Sequence, residues 1–440
     1  MRDKQLWFVL RTGLLAAALG SLLSVWTAQS TGAQEPSAPP AWEAGPEVTV
    51  DDALRSAFER HPDLRAAHAL VEEARGRLLG AKTYPFNPQV LGLAGSRTGV
   101  VDRSVDLAFE VGQQVQIAGQ RPRSKRAAEA GVTAEQARWE RSARLLAAQV
   151  HVAFINAVEA RRLLEITEAD VELTRNLSSL AKRRLERGAT TQLEVNLATI
   201  EFGRSQGRAM LAEGIQRAAR AELAQTMAVD PAAPPTPIGD LDVPSEPPSP
   251  LDELVTGALE NRADLEAFRE LERRSEARVR LARSQGAPNV TVRGFWAREG
   301  PENIVGGGGT ISVPVFQRNQ GPIAQSKAAV SRTRAERESL ELTVAQETAA
   351  TYARHAAASA TAKRLQEAVL GSLQQNLDLL QKAFEAGKTT WPEVLIIRRS
   401  LIDARRELVS AQAEARRAWI WLQLAAGQMP VLQLTQEQSQ

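Results

Sequence analysis

The chain has 440 residues, of which 43% are hydrophobic and only 5% aromatic, and it contains no cysteine. Its formal net charge is +2, and no basic block predicts nucleic-acid binding. The lack of cysteine excludes disulfides, thiolate metal sites and cysteine nucleophiles. A composition rich in Ala, Leu, Glu, Gln and Arg favours long helices over a sheet-rich globule.

Residues 1–33 have the pattern of a secretory signal peptide. Arg2, Lys4 and Arg11 precede an apolar run at 14–25, and small residues up to Ala33 predict cleavage near that position. The alternative is an uncleaved anchor, but the apolar run is short for a membrane span. Because no cysteine follows, we expect no lipid anchor. The proline-rich segment that comes next, 34–48, is predicted to be an extended leader.

The remaining chain carries one pattern twice, about 200 residues apart. The clearest match is between Gly188-Ala-Thr-Thr-Gln-Leu-Glu-Val195 and Gly387-Lys-Thr-Thr-Trp-Pro-Glu-Val394. A period this long, present only twice, indicates a duplicated unit and not a solenoid. The predicted domains are repeat 1 at 49–229, a proline-rich linker at 230–250, repeat 2 at 251–428 and a tail at 429–440.

Each repeat is predicted to contain a helix, two strands, a long helix and a shorter helix. In repeat 1 the predicted elements are the helix 62–82, the strands 90–97 and 104–117, and the helices 122–187 and 192–227. In repeat 2 they are the strands 290–298 and 304–316 and the helices 323–386 and 391–426, after a helix that precedes the strands.

The helix lengths predict how these elements are arranged. A helix of about 65 residues is roughly 100 Å long, and the two shorter helices, of about 30 and 36 residues, sum to a similar length. Two short helices stacked end to end can therefore lie along one long helix. This predicts a column four helices wide, with the strands at one end and the glycines Gly188 and Gly387 at the other.

The strands alternate in polarity. In repeat 1, Val105, Leu107, Phe109 and Val111 share one face, with polar residues on the other. Four strands per chain, apolar on one face, would leave exposed edges if they stayed alone. Closing them with strands of other subunits removes these edges and suggests an outer-membrane barrel assembled from several chains.

The duplicated unit, the order of its elements, the Gly-x-Thr-Thr-x-x-Glu-Val tips and the proline-rich linker resemble TolC-type outer-membrane efflux proteins. The resemblance covers residues 49–428. The segment 312–321, Ser-Val-Pro-Val-Phe-Gln-Arg-Asn-Gln-Gly, is similar to the CzcC-like heavy-metal branch of that family.

The resemblance implies a mainly α fold with a small β part. Three chains would form a 12-stranded outer-membrane β-barrel, continued by a periplasmic α-helical barrel. It further implies a passive export duct without cofactor, metal site or enzymatic activity. The duct would work with a periplasmic adaptor and an inner-membrane pump of the resistance-nodulation-division type. Heavy-metal cations are one cargo, and drugs or other small molecules remain alternatives. The alternative function is a periplasmic coiled-coil adaptor or interaction protein.

The resemblance also points to site residues. Glu194 and Glu393 occupy matching tip positions, and the family places an acidic residue there at the periplasmic aperture. Both also fit a capping box with Thr191 and Thr390, so a purely structural role is the alternative. The family's next aperture acid is replaced by Ile396, which suggests hydrophobic closure.

Adaptor docking is predicted at the hairpin tips, at Gly188, Thr191, Gly387 and Thr390. The alternative for the two glycines is a purely structural role, in which each one only ends a helix. The family's locking arginine is Thr389 in this chain, with Lys388 or Arg398 as candidate substitutes.

Overall fold

The computed structural model describes residues 45–98, 103–242, 249–370, 376, 379–380, 382–383, 386 and 388–430. It confirms a mainly helical chain in which one unit is duplicated. Repeat 1 consists of β1 (Glu47–Val48), α1 (Val50–Arg60), α2 (Pro62–Lys82), β2 (Gln89–Thr98), β3 (Arg103–Gln116), α3 (Gln120–Glu186) and α4 (Gln192–Thr226).

The linker and repeat 2 follow the same order. Their elements are β4 (Thr236–Pro237), α5 (Leu251–Asn261), α6 (Ala263–Gln285), β5 (Asn289–Glu299), β6 (Glu302–Ile311), α7 (Gln320–Leu370) and α8 (Trp391–Ala425). The long helix predicted at 323–386 is confirmed as far as Leu370. Most of 371–387, with Gly387, lies outside the described residues.

The helix predicted at 62–82 is confirmed by α2, but the predicted length of about 30 residues before each strand pair is divided between two helices. In repeat 1, His61 is extended (φ −64°, ψ 124°) and precedes Pro62, whose ring disfavours helical backbone in the residue before it. In repeat 2 the matching residue is Arg262, also extended (φ −70°, ψ 128°), and no proline follows. There the break is held by the buried Arg262 side chain, which bonds Asp264 at 2.6 Å and Glu347 at 2.8 Å.

The four longer strands form one antiparallel sheet in the order β2-β3-β5-β6, so β3 and β5 join the two repeats. The pairing of Phe109 with Trp296 puts the apolar residues predicted for β3 on one face with Val292 and Val305. These side chains are exposed, and Val305 is 80% accessible. On the opposite face, Arg97 pairs with Asp106 at 3.1 Å, and Arg293 pairs with Glu110 at 3.2 Å.

The prediction that the fourth strand continues to Phe316 is wrong, since β6 ends at Ile311. Pro314 lacks the backbone N–H that a further ladder bond requires. Within β6, Val305 and Ile311 lie on the same side as Gly307 and Gly309.

Helix α3 is the longest element, with 67 residues, and it contributes more buried hydrophobic residues than any other described helix. Its first half packs on α2 and α6, where Trp139 meets the His68 ring and Gly131 meets Arg274. Its second half packs on α4 and α8, where the Thr174 hydroxyl lies 2.7 Å from that of Ser205. Two shorter helices of repeat 1 thus lie along one long helix, as their lengths predict.

The proline-rich segment between the repeats is a fixed part of the fold, at least in its first half. β4 pairs in parallel with β1, with Glu47 opposite Thr236 and Val48 opposite Pro237. Arginines from the helices hold its carbonyl groups: Arg161 donates to Pro237 O at 2.8 Å, and Arg220 donates to Pro235 O at 3.0 Å. In the described part of the chain, no helix combines the length and hydropathy needed to cross a membrane.

The packing of α3 can be tested at two alanines of the same helix. Ala157 is completely buried, and Ala169 is exposed. We expect Ala157→Leu to destabilise the fold by about 1–3 kcal/mol, because the extra carbons have no space. The control Ala169→Leu should change stability by less than about 0.5 kcal/mol. Thermal unfolding followed by circular dichroism measures both, and equal Tm values for the two variants would contradict the assigned packing.

Candidate functional site

The tip of repeat 1 is a helix end built on glycine. Gly188 has φ +69°, a left-handed conformation that non-glycine residues rarely adopt. The Ala189 N–H donates to Arg184 O at 2.8 Å, and the Gly188 N–H donates to Leu185 O at 2.9 Å. This pattern of bonds closes the last turn of α3 and reverses the chain toward α4.

The tip of repeat 2 begins α8 with a capping box at Thr390 and Glu393. The Glu393 carboxylate accepts a hydrogen bond from the Thr390 backbone N–H at 2.8 Å. Hydrogen bonds from that N–H and from the Thr390 hydroxyl hold the pKa of Glu393 below its ordinary value of 4.5. The carboxylate is exposed, so it is available as a charge at the tip.

The matching box predicted in repeat 1 is only half formed. The Thr191 hydroxyl caps α4 by accepting from the Glu194 N–H at 3.4 Å. The Glu194 carboxylate does not return a bond to the Thr191 backbone and instead accepts from the hydroxyl of Thr190. The two matching glutamates therefore have different surroundings.

Both glutamates precede a buried valine of one small core, which we call the tip core. It consists of Leu177, Ala181, Val195, Ala198, Leu380, Trp391 and Val394. Because Val195 and Val394 pack in the same cluster, Glu194 and Glu393 begin their helices at the same level of the fold. Ile396, two residues after Val394, turns away from this core and is 67% exposed.

A buried ionic cluster lies one helical turn beyond the tip core. Arg398 of α8 is 5% exposed and donates to Asp170 Oδ1 of α3 at 2.6 Å. It also donates to Glu201 Oε2 of α4 at 2.9 Å. Arg398 thereby joins the second repeat to helices α3 and α4 of the first repeat. Of the two substitutes considered for the family's lock, Arg398 has carboxylate partners, whereas Lys388 is an exposed tip residue.

Little in the amino-acid sequence predicts this cluster. Asp170, Glu201 and Arg398 are far apart in the chain and sit among many other charged residues of amphipathic helices. The one local signal is that Arg398 directly follows an apolar stretch, Val394 to Ile397.

The described residues of the site provide charged and aliphatic side chains. In the ranges that the structure describes, no group of three or more His, Asp or Glu side chains is arranged to hold a metal ion. At the tips, Glu393 and Lys388 are exposed charges, and Ile396 is an exposed aliphatic side chain, whereas Glu194 is half-buried. The carboxylates can attract cations, and the aliphatic side chain can exclude water.

The role of the ionic cluster can be tested by removing its central cation. Arg398→Ala leaves two carboxylates buried without their partner, so we expect a loss of about 3–5 kcal/mol in stability. The neighbouring Arg399 is 83% exposed, and Arg399→Ala should cost less than about 0.5 kcal/mol. Chemical denaturation of both variants measures the difference. A value for Arg398→Ala as small as that of the control would show that the cluster does not hold the helices together.

Comparison with known proteins agrees with this architecture. The profile of the outer membrane efflux protein family matches residues 53–229 and 254–428, once in each repeat. The cobalt-zinc-cadmium resistance protein CzcC of Cupriavidus metallidurans is 26% identical over 372 residues, covering 82% of this chain and 85% of CzcC.

Two solved structures have a similar fold. The Campylobacter jejuni CmeC outer membrane channel superposes with a TM-score of 0.71 at 14% identity, covering 86% of this chain and 85% of CmeC. The Vibrio cholerae outer membrane protein VceC superposes with a TM-score of 0.69 at 18% identity, covering 86% of this chain and 96% of VceC. Because the family profile matches most of the chain in two copies, the protein belongs to the outer membrane efflux protein family.

Proposed function

We propose that this protein is the outer-membrane channel of a tripartite efflux system, a passive duct across the periplasm and the outer membrane. The observation that carries the proposal is the joining of two features in one chain. One is an open sheet with an exposed apolar face, and the other is a helix of 67 residues, about 100 Å long, which continues from it. Soluble domains rarely need either feature.

The open sheet supports assembly into a homotrimer. β2 and β6 are the edge strands, and each leaves one row of backbone groups unpaired within the chain. Pairing β6 of one chain with β2 of the next, three times, gives a closed barrel of twelve strands. The apolar face would then contact lipid, and the ion-paired face with Arg97 and Arg293 would line the bore.

The helical part supports the proposed partners. In repeat 1 the length of α3 separates the tip at Gly188 and Thr191 from the sheet, and the proposed tip of repeat 2 is at Gly387 and Thr390. They are the proposed docking points for a periplasmic adaptor, which would connect the duct to an inner-membrane pump of the resistance-nodulation-division type. The duct itself performs no chemistry and needs no cofactor.

The proposed cargo is a divalent metal cation. Two observations support it: the relative CzcC is a cobalt-zinc-cadmium resistance protein, and the tips carry carboxylates. In a trimer, Glu194 and Glu393 would supply up to six carboxylates around the periplasmic aperture, and such a ring attracts cations and repels anions. The exposed side chain of Ile396 would narrow the same aperture by hydrophobic contact in the closed state.

The aperture can be tested by removing its charges. Glu194→Gln combined with Glu393→Gln should lower the cation preference, because the charged ring is replaced by neutral amides. The measurement is the reversal potential of the protein in planar bilayers under a salt gradient, which should move toward zero. The matched control is Glu59→Gln with Glu260→Gln, which removes the same charge from exposed equivalent sites of α1 and α5.

The pH dependence adds a second readout to the same experiment. Since the Thr390 N–H holds the pKa of Glu393 below 4.5, this carboxylate stays ionised as the pH falls to that value. The part of the wild-type selectivity that Glu393 supplies should therefore persist to lower pH than a glutamate without these hydrogen bonds would allow. An unchanged reversal potential in the aperture variant would assign the two glutamates to helix capping alone.

We also propose that residues 1–33 direct export and are cleaved near Ala33. A chain that lacks these residues should remain in the cytoplasm, because nothing else in the sequence has the charge and hydropathy pattern of an export signal. Immunoblots of fractionated cells measure its location. Recovery of the truncated chain in the outer membrane would refute the assignment.

A further inference from the structure

A groove of about 470 Å³ lies between α4 and α8, with α3 as its floor. Its lining contains five arginines and only three carboxylates, a net charge of +2. The arginines are Arg204, Arg208, Arg398, Arg399 and Arg406. Two other grooves have linings with no net charge, and a third, lined by Glu260, Glu338, Glu341 and Arg269, has a net charge of −2.

Each oxygen of two carboxylates in the groove, those of Asp170 and Glu201, already accepts a hydrogen bond from an arginine. Asp170 accepts from Arg398 through Oδ1 at 2.6 Å and from Arg208 through Oδ2 at 3.1 Å. Glu201 accepts from Arg398 through Oε2 at 2.9 Å and from Arg204 through Oε1 at 2.8 Å. Three guanidinium groups thus share two negative charges, and one positive charge remains uncompensated.

The second uncompensated charge is at the rim. Arg399 lies 3.7 Å from the exposed carboxylate of Asp403, its partner on the same helix face. Arg406 lines the groove, and it makes no ion pair within the described ranges. Arg204 and Arg399 are 67% and 83% exposed, so their heads are free to turn toward a molecule in the groove.

We propose that this groove binds a small multivalent anion that carries carboxylate or phosphate groups. Guanidinium groups recognise such oxygens with paired, charge-assisted hydrogen bonds. The aliphatic walls, Leu395 and Ile402, are half-buried and lower the local dielectric, which strengthens the attraction. All lining residues belong to one chain, and one of them, Ile396, is the side chain proposed above to narrow the aperture.

The experiment titrates the full-length protein, in detergent and at low ionic strength, with pyrophosphate and separately with citrate. Isothermal calorimetry measures the dissociation constant. Arg406→Gln removes the unpaired rim charge and should weaken binding by about tenfold, the effect of one charged hydrogen bond. Arg55→Gln on α1 changes the net charge equally at a half-exposed site outside the groove, and its binding should equal that of the wild type.

Each outcome decides the proposal. Binding of citrate, of pyrophosphate or of both, weakened by Arg406→Gln and not by Arg55→Gln, supports the site and identifies the preferred acid group. Equal weakening by the two variants would mean that the anion senses only net charge, and this overturns the proposal. Absence of binding to the wild-type protein overturns it as well. A circular dichroism spectrum of Arg406→Gln that matches the wild type shows that the variant is folded.

Discussion

The structure depends on the burial of a stripe of small side chains along α3. Ala147, Ala148, Val150 and Ala157 are fully or almost fully buried, and they face helices from both repeats. Small residues let helix axes approach closely, so each turn gains many dispersion contacts without large side chains. A single helix of this length is only stable when neighbours cover it along most of its length. The arrangement of the shorter helices follows from this requirement.

Alanine packing fixes the distance between helices but not their register, and buried arginines add that information. Arg262 bonds Asp264 and Glu347 where α5 meets α6, and Arg141 of repeat 1 reaches the same Asp264 at 3.4 Å. Arg398 does the same near the tips with two carboxylates of repeat 1. A shift of one helix turn would leave these charges buried without partners, which is strongly unfavourable. The two clusters therefore lock the repeats together at separate heights.

The charges along α8 also form successive bands. Glu393 begins the helix, and Arg399 lies six residues further, about 9 Å along the axis. In the proposed duct, carboxylates at the aperture would be followed by an arginine-rich groove. This order would place a band that attracts cations and a band that attracts anions on one short segment of α8. The electric field of each band falls off within about one Debye length at physiological salt.

Much of this architecture could be predicted from the sequence, since it follows from local patterns. Period-two alternation located β3, and the Gly-x-Thr-Thr tips located the start of α4 and α8. The features that were missed depend on contacts between distant residues. No proline predicts the break at Arg262. The Glu194 carboxylate accepts from the Thr190 hydroxyl, although repeat 2 has a threonine, Thr389, at the matching position and keeps its capping box. The Arg398 cluster combines three segments that no local pattern connects.

The proposed function requires that separate chains close one barrel and one duct. The most direct test is the protein mass of the particle extracted by detergent from purified outer membranes, measured by light scattering with the detergent contribution subtracted. The full chain has a mass of 47.8 kDa. A barrel closed by three chains predicts a particle with three times the mass of the mature chain. A water-soluble monomer that is absent from the membrane fraction would contradict it.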